Sequence, residues 1–224
     1  MGARRYGDWT LGTFLTKSSE GGVKMKNILI FGSSRMGKTT LAKRLKDEFG
    51  LNVVNWDVLI HAFALGFPQL GVSFQGDFEQ TRKNVTPFSA YYLCEMARHA
   101  RYKTGSKFIA DMSLFNFDVG FPLMEEHLLS MGGTKLHEEF TIIHLINTKP
   151  SEEMFRDIRQ YDTDNDWTFY LDDTALRNWC NQQTGANPLI VAKLDEFNPL
   201  RYDVAQGREQ VFDEIVKDLK AIRI

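Results

Sequence analysis

NILIFGSSRMGKTTLAKRL, residues 27–45, puts an apolar run, a glycine-bounded loop and a helix-patterned segment in immediate succession. The run up to Phe31 is continuously apolar, as in a strand buried on both faces of a parallel sheet. From Lys38 onward, Leu41, Ala42, Leu45 and Phe49 repeat at helical spacing, and Gly50 stands where such a helix stops. Strand, tight loop and helix in this order decide the fold, because the loop between them has a fixed chemistry.

Gly32-Ser33-Ser34-Arg35-Met36-Gly37-Lys38-Thr39 satisfies GxxxxGK[ST] without a mismatch. Gly32 and Gly37 let the backbone close into a nest whose N–H groups point at phosphate oxygens. The helix opening at Lys38 adds its positive N-terminal end. Lys38 reaches the β- and γ-phosphates of a nucleoside triphosphate, and the Thr39 hydroxyl ligates Mg²⁺. The expected nucleotide contacts are therefore Gly32, Ser33, Ser34, Arg35, Met36, Gly37, Lys38, Thr39 and Thr40, with Lys38 also catalytic.

Working outward, strand and helix patterns alternate. Residues 51–57 (LNVVNWD) and 107–111 (KFIAD) read as strands ending in Asp57 and Asp111, and residues 138–147 read as a fourth strand. Residues 58–85 are broken by Gly and Pro, and Pro87 is read as opening a helix that Gly105 closes. Ser151 is read as the N-cap of a short charged helix. LRYDV (residues 200–204) is a fifth strand candidate, and an amphipathic helix closes the chain. The alternation implies a parallel α/β sheet.

The 224 residues are enough for one domain with a proper core. A formal charge of −2 gives no extended nucleic-acid surface. No apolar run is long enough for a membrane span. Two cysteines without metal-ligand spacing fit a reducing, cytoplasmic setting. Residues 1–24 are basic at the front, lack an apolar core and read as a disordered extension ahead of a domain at 25–224. No NKxD for guanine and no LSGGQ-like signature accompanies the loop.

Taken together, ILIFGSSRMGKTTLAKRL, VVNWD, KFIAD, IIHLINTKPSEEMFRDIRQYD and RYDVAQGREQVFDEIVKDL resemble the P-loop nucleoside, nucleotide and shikimate-type kinases, the group around adenylate kinase. The resemblance implies a three-layer fold with a five-stranded parallel sheet in the order 2-3-1-4-5. It also implies an acceptor lobe at about 58–102 and a lid at about 151–173. It implies ATP and Mg²⁺ as cofactors and a small-molecule phosphoryl acceptor as partner, and leaves the oligomeric state open. Asp57 would act on the acceptor hydroxyl as base or orienting group, with Glu79 a weaker alternative, and Asp111 would hold Mg²⁺ with Thr39. Arg156 and Arg159, three apart on one helical face, would close over the triphosphate. MSLFNFDVGF follows Asp111 in place of the DGFPR-like or RGG runs of particular members. The expected activity is phosphoryl transfer from ATP to a nucleoside or nucleotide. A sugar acid, another metabolite or a polynucleotide end is the rival acceptor, and a regulatory or defence module that binds ATP without transferring it is the rival class.

Overall fold

β1 (Asn27–Phe31) is buried along its whole length, because it is the middle strand of the sheet. It pairs in parallel with β3 (Phe108–Asp111) on one side and β4 (Phe140–Ile146) on the other. β2 (Asn52–Val54) extends the sheet beyond β3, and β5 (Leu200–Asp203) extends it beyond β4. The order is β2-β3-β1-β4-β5, as the resemblance implies. The structure, a computed structural model, describes residues 25–72, 78–100, 105–112, 115–164 and 166–222. The expectation of a disordered segment at 1–24 lies outside them.

The alternation of side chains along β1 sorts the core into two layers. Ile28 and Ile30 join Ile109, Ile143 and Leu145 beneath α1 (Lys38–Phe49) and α8 (Arg208–Ile222). Leu29 and Phe31 face the other way. They pack with Trp56 of α2 (Trp56–Gly66), Leu93 of α3 (Phe78–His99) and Phe121 of α4 (Phe117–Gly132). The helices of the expected acceptor lobe thus share the core of one sheet face. The register is pinned at the base of β1 by Asn27, fully buried. Its amide donates to Glu139 at 3.2 Å, and its carbonyl oxygen accepts the Phe108 N–H at 3.3 Å. Glu139 ends α5 (Leu136–Glu139), a single turn ahead of β4. A third cluster joins Met154, Phe155 and Ile158 of α6 (Ser151–Tyr161) to Leu176 and Cys180 of α7 (Asp173–Leu194).

Helix α1 ends as its sequence implies: Gly50 is left-handed (φ 65°) and returns its N–H to the Lys46 carbonyl. Elsewhere local chemistry redraws the boundaries. β2 stops at Val54, since the Asn55 side chain accepts the Val58 N–H at 3.1 Å and caps α2. Asp57 therefore lies in the first turn of a helix rather than at a strand end. Pro87 does not open α3 but sits inside it. Beside it the Thr86 hydroxyl donates to the Arg82 carbonyl at 2.7 Å and accepts the Asn116 N–H at 2.9 Å, tying this turn of the helix to the start of α4. Ser151 is the first helical residue, and Pro150 occupies the cap position. α4, absent from the sequence reading, packs against α3: the Cys94 thiol reaches the Met124 carbonyl at 3.7 Å. Gly120 gives its Cβ space to the Phe115 ring.

Two outcomes follow from this packing. Phe121 is fully buried, and its ring lies 4.8 Å from that of Phe197 and 5.5 Å from that of Phe115. Phe121→Ala is expected to cost about 3–5 kcal/mol in urea unfolding. His144 stands opposite Phe31 in β4, is 2% exposed and accepts weakly from Arg201 Nε at 3.5 Å. Burial first, and the Arg201 charge second, push its imidazole down to about 4. The unfolded chain takes up that proton near pH 6.5 and the folded chain does not. Stability is therefore lost as the pH falls from about 6.5 to 4, by about 3 kcal/mol from this group. Urea midpoints against pH should show a shallower acid limb in His144→Gln.

Candidate active site

The chain leaves β1 at Gly32 and re-enters regular structure at Lys38. Both loop glycines sit at positive φ, and at Gly32 space demands glycine as well. At Gly32 (φ 145°) a Cβ would lie 2.6 Å from the Leu145 carbonyl oxygen of β4. At Gly37 (φ 84°) it would meet Arg208 Cδ and Phe212 Cζ at 3.0 Å. Met36 is buried in the core beneath the loop, while Ser34, Thr39 and Thr40 are exposed.

Lys38 is 8% exposed, and its ammonium donates to the Ser33 carbonyl at 3.1 Å. This holds the side chain back over the loop rather than out into solvent. Burial pulls the ammonium below the usual lysine range, and the charges of Asp111 and then Asp57 oppose that shift. Asp111 ends β3, which pairs directly with β1. Its Oδ2 accepts the Thr39 hydroxyl at 2.6 Å. Burial raises the Asp111 carboxyl above its ordinary range, and Asp57 adds to the rise; Lys38 and the Thr39 bond act against it. Lys38, Thr39, Asp111 and Asp57 thus form one electrostatically coupled group at the C-terminal edge of the sheet, where open α/β sheets bind ligands. Asp57 reaches that group from the exposed first turn of α2.

The donor set fits a hard divalent cation. Asp111 Oδ1 is buried with no hydrogen-bond partner, and Thr39 Oγ1 lies on the other carboxylate oxygen. An orphaned buried carboxylate oxygen is costly alone and is satisfied by a cation. No group of three or more His, Cys, Asp or Glu side chains suited to a metal occurs among the described residues. Mg²⁺ in kinase sites needs only one or two carboxylates, completed by phosphates and water.

The arginines of segment 151–173 are divided. Arg159 is held within the segment: it donates to Asp173 at 3.0 Å, to the Thr168 carbonyl at 3.2 Å and to the Leu171 carbonyl at 2.6 Å. In this arrangement its fork shapes the segment instead of facing the loop. Arg156 is exposed and makes a long bond, 3.4 Å, to the Glu152 carbonyl of its own helix. Arg35 is the unexpected one. Its backbone belongs to the loop, with φ 67°, but its guanidinium leaves it for Asp162 and Asp166. Arg208 in turn donates to the Arg35 carbonyl at 3.1 Å. Sequence reasoning missed Asp162, Asp166 and Arg208. The one available signal was the acid-rich run at 162–166 beside a basic residue in the loop.

In the 58–100 region, Arg82 pairs with Glu79 and Arg98 with Glu95 along their own helix. These exposed pairs are weak, so they leave both cations able to exchange partners. Trp56, Tyr92, Phe88, Phe63 and Phe67 form a continuous aromatic row between α2 and α3, with neighbouring ring centroids 4.6–6.1 Å apart.

Neither a protein-family model nor a curated protein sequence matches the chain. Solved structures do. A sugar kinase from Janibacter sp. HTCC2649 is similar at TM-score 0.52 and 18% identity, over 89% of this chain and 98% of that one. A shikimate kinase from Bacteroides thetaiotaomicron (0.50, 14%, 88% and 97%) and a gluconokinase from Sinorhizobium meliloti 1021 (0.50, 13%, 88% and 93%) are similar to the same extent. The chain has the fold of the P-loop small-molecule kinases. At these identities the likeness is one of architecture, and the chemistry rests on the residues above. No helix among the described residues is long and apolar enough to cross a membrane.

The loop's constraint is open to test. Gly32→Ala should weaken binding of a fluorescent ADP by at least about tenfold, because loop or strand must shift to clear the Leu145 oxygen. Gly50→Ala, also at a left-handed position but with nothing within 4 Å of its Cβ, should cost stability and leave binding unchanged.

Proposed function

We propose that this protein is an ATP- and Mg²⁺-dependent phosphotransferase acting on a small hydroxyl-bearing acceptor, with a nucleoside or nucleotide the leading class. The observation that carries the reading is the convergence of Lys38, Thr39, Asp111 and Asp57. A phosphate-binding lysine, a hydroxyl–carboxylate pair fit for a cation and a second acid meet at one sheet edge. Proteins of this architecture include enzymes named for sugars, gluconate and shikimate, which keeps a polyhydroxy or sugar-acid acceptor as the second reading. The aromatic row of α2 and α3 favours the first, since flat rings suit a base.

The residues assign the work as follows. Backbone N–H groups of 32–39 and the N-terminus of α1 cradle the phosphates of ATP. Lys38 neutralises charge on the transferring phosphoryl group. Thr39 and Asp111 would hold Mg²⁺, which when bound supplies further charge neutralisation across the phosphates. Asp57 accepts the proton of the acceptor hydroxyl as its oxygen attacks the γ-phosphorus in line, and the bond to the leaving β-phosphate oxygen breaks. Arg156 is the residue of segment 151–173 whose exposed guanidinium can turn toward the phosphates as the segment closes. Arg159 would act through the shape it gives that segment. A cytoplasmic setting, with its supply of ATP, is part of this proposal.

ADP release from Mg²⁺-ATP, measured against nucleosides, nucleoside monophosphates, sugar acids and shikimate-like alcohols, tests the reading. One acceptor class should stimulate release strongly. Asp57→Asn should lose about 10²–10⁴ of that stimulated rate and still bind ADP. Lys38→Ala should lose at least about 10²–10³. Slow ATP loss that no acceptor stimulates and that Asp57→Asn leaves unchanged would identify a nucleotide-binding regulatory module instead.

A further inference from the structure

Among the described residues, Arg35 is the one loop residue whose side chain crosses to another part of the chain by ion pairing. Its Nη2 donates to Asp162 Oδ1 at 2.7 Å, and its Nη1 donates to Asp166. Asp162 follows α6, and its side chain is 2% exposed. The same Oδ1 accepts the Thr168 hydroxyl at 2.7 Å. Asp166 folds the connection back on itself, its Oδ2 accepting the Thr163 N–H at 3.0 Å and the Thr163 hydroxyl at 3.1 Å. On the far side Arg159 grips the carbonyls of Thr168 and Leu171. The connection from 162 to 171 is therefore clasped by two arginines, one from its own helix and one from the phosphate-binding loop.

We propose that Arg35 is a positioning residue that latches the lid to the phosphate-binding loop, so that the conformation of the loop and closure of the lid are coupled through a single guanidinium. The proposal rests on the reading of residues 32–39 as a nucleotide-binding loop and of 151–173 as a lid. Three observations carry it. The planar fork of arginine engages two carboxylates at once, which fixes direction as well as distance. One of those carboxylates is almost wholly buried, and an unpaired buried charge is far costlier than a broken surface pair. Within the lid Arg159 stands 3.9 Å from the other Asp162 oxygen, so opening exchanges the close Arg35 partner for that longer contact and water, and the latch sets how readily the lid opens. Finally, the Arg35 carbonyl is held by Arg208 and its backbone is left-handed. A change in the loop at this residue is thus transmitted directly to where its guanidinium points.

The left-handed backbone also gives a clean variant. Arg35→Gly removes the guanidinium while suiting the φ of 67° better than arginine does. Hydrogen–deuterium exchange of the full-length protein without nucleotide reads the lid directly, with peptides covering 159–172 compared across the wild type, Arg35→Gly, Asp166→Asn and the double variant. Each single variant should raise lid exchange about tenfold or more while β1 and β3 stay protected. The double variant should add little to either. Arg35→Lys, which keeps the charge without the fork, should restore part of the protection. Dissociation of a fluorescent ADP should quicken by about tenfold in Arg35→Gly. Lid exchange within about twofold of wild type in Arg35→Gly, or full additivity in the double variant, would overturn the latch. If the wild type binds no ADP while lid exchange responds as stated, the latch stands and the nucleotide reading fails.

Discussion

Gly32 passes the Leu145 carbonyl with no room for a side chain, and much of the site depends on that close approach. The middle strand must turn out of the sheet between its two neighbours, β3 and β4. Any Cβ would force the loop away from β4 and toward Asp111. The close passage keeps the loop centred, so the Thr39 hydroxyl arrives at hydrogen-bond distance from Asp111 and the Lys38 chain folds back over Ser33. Gly37 makes a second close passage under Arg208 and Phe212. Helix α8 is in this way a wall of the phosphate-binding loop as well as a layer of the core.

The charges are balanced inside that geometry by burial. Lys38 is pulled toward its neutral form and Asp111 toward its own, each by loss of water, and each opposes the other's shift. Such a pair is poised rather than settled: a phosphate at the lysine and a cation at the carboxylate would each favour the charged forms. Asp57 adds a second negative charge close enough to act on both groups. Two acids and one buried lysine leave the group richer in negative charge. That suits a site completed by a divalent cation.

Sheet order, loop, α1 and α8 were legible because strong local signals and tertiary packing agree there. The strand of residues 27–31 is apolar throughout, the glycines sit where dihedrals demand them, and α8 has an unbroken amphipathic face. α4 was not legible. It buries one face (Phe117, Gly120, Phe121, Met124 and Leu128), but Val119 and Leu129 lie exposed outside that face and Gly120 and Pro122 interrupt it, so the helical period is masked in the sequence. The start of α3 was misplaced for a related reason. A proline reads as a helix opening, yet this helix runs through Pro87, with Thr86 beside it bonded to Arg82 and Asn116. Asp57 was read onto the wrong element, because Asn55, two positions earlier, captures the helix cap. An acid in the first turn of a helix is electrostatically favoured, and from there the Asp57 charge still acts on the loop's lysine.

The arginines of segment 151–173 show where sequence spacing stops being informative. Arg156 and Arg159 share a helical face, which alone gives them equal claims on the phosphates. The connection after α6 then distinguishes them. Residues 162–171 contain turns whose carbonyls need donors, and Arg159 supplies three bonds to that connection and the start of α7. Arg156 has no such demand on it. Arg35, by contrast, looks like a variable position in a phosphate loop until the fold brings two aspartates to it across more than a hundred residues. An exposure of only 2% at Asp162 decides its weight: that carboxylate requires a cation, and the loop supplies the nearer one, at 2.7 Å against 3.9 Å for Arg159. The buried Asp162 carboxylate is held by a partner from a different element, which ties segment 162–171 to the loop.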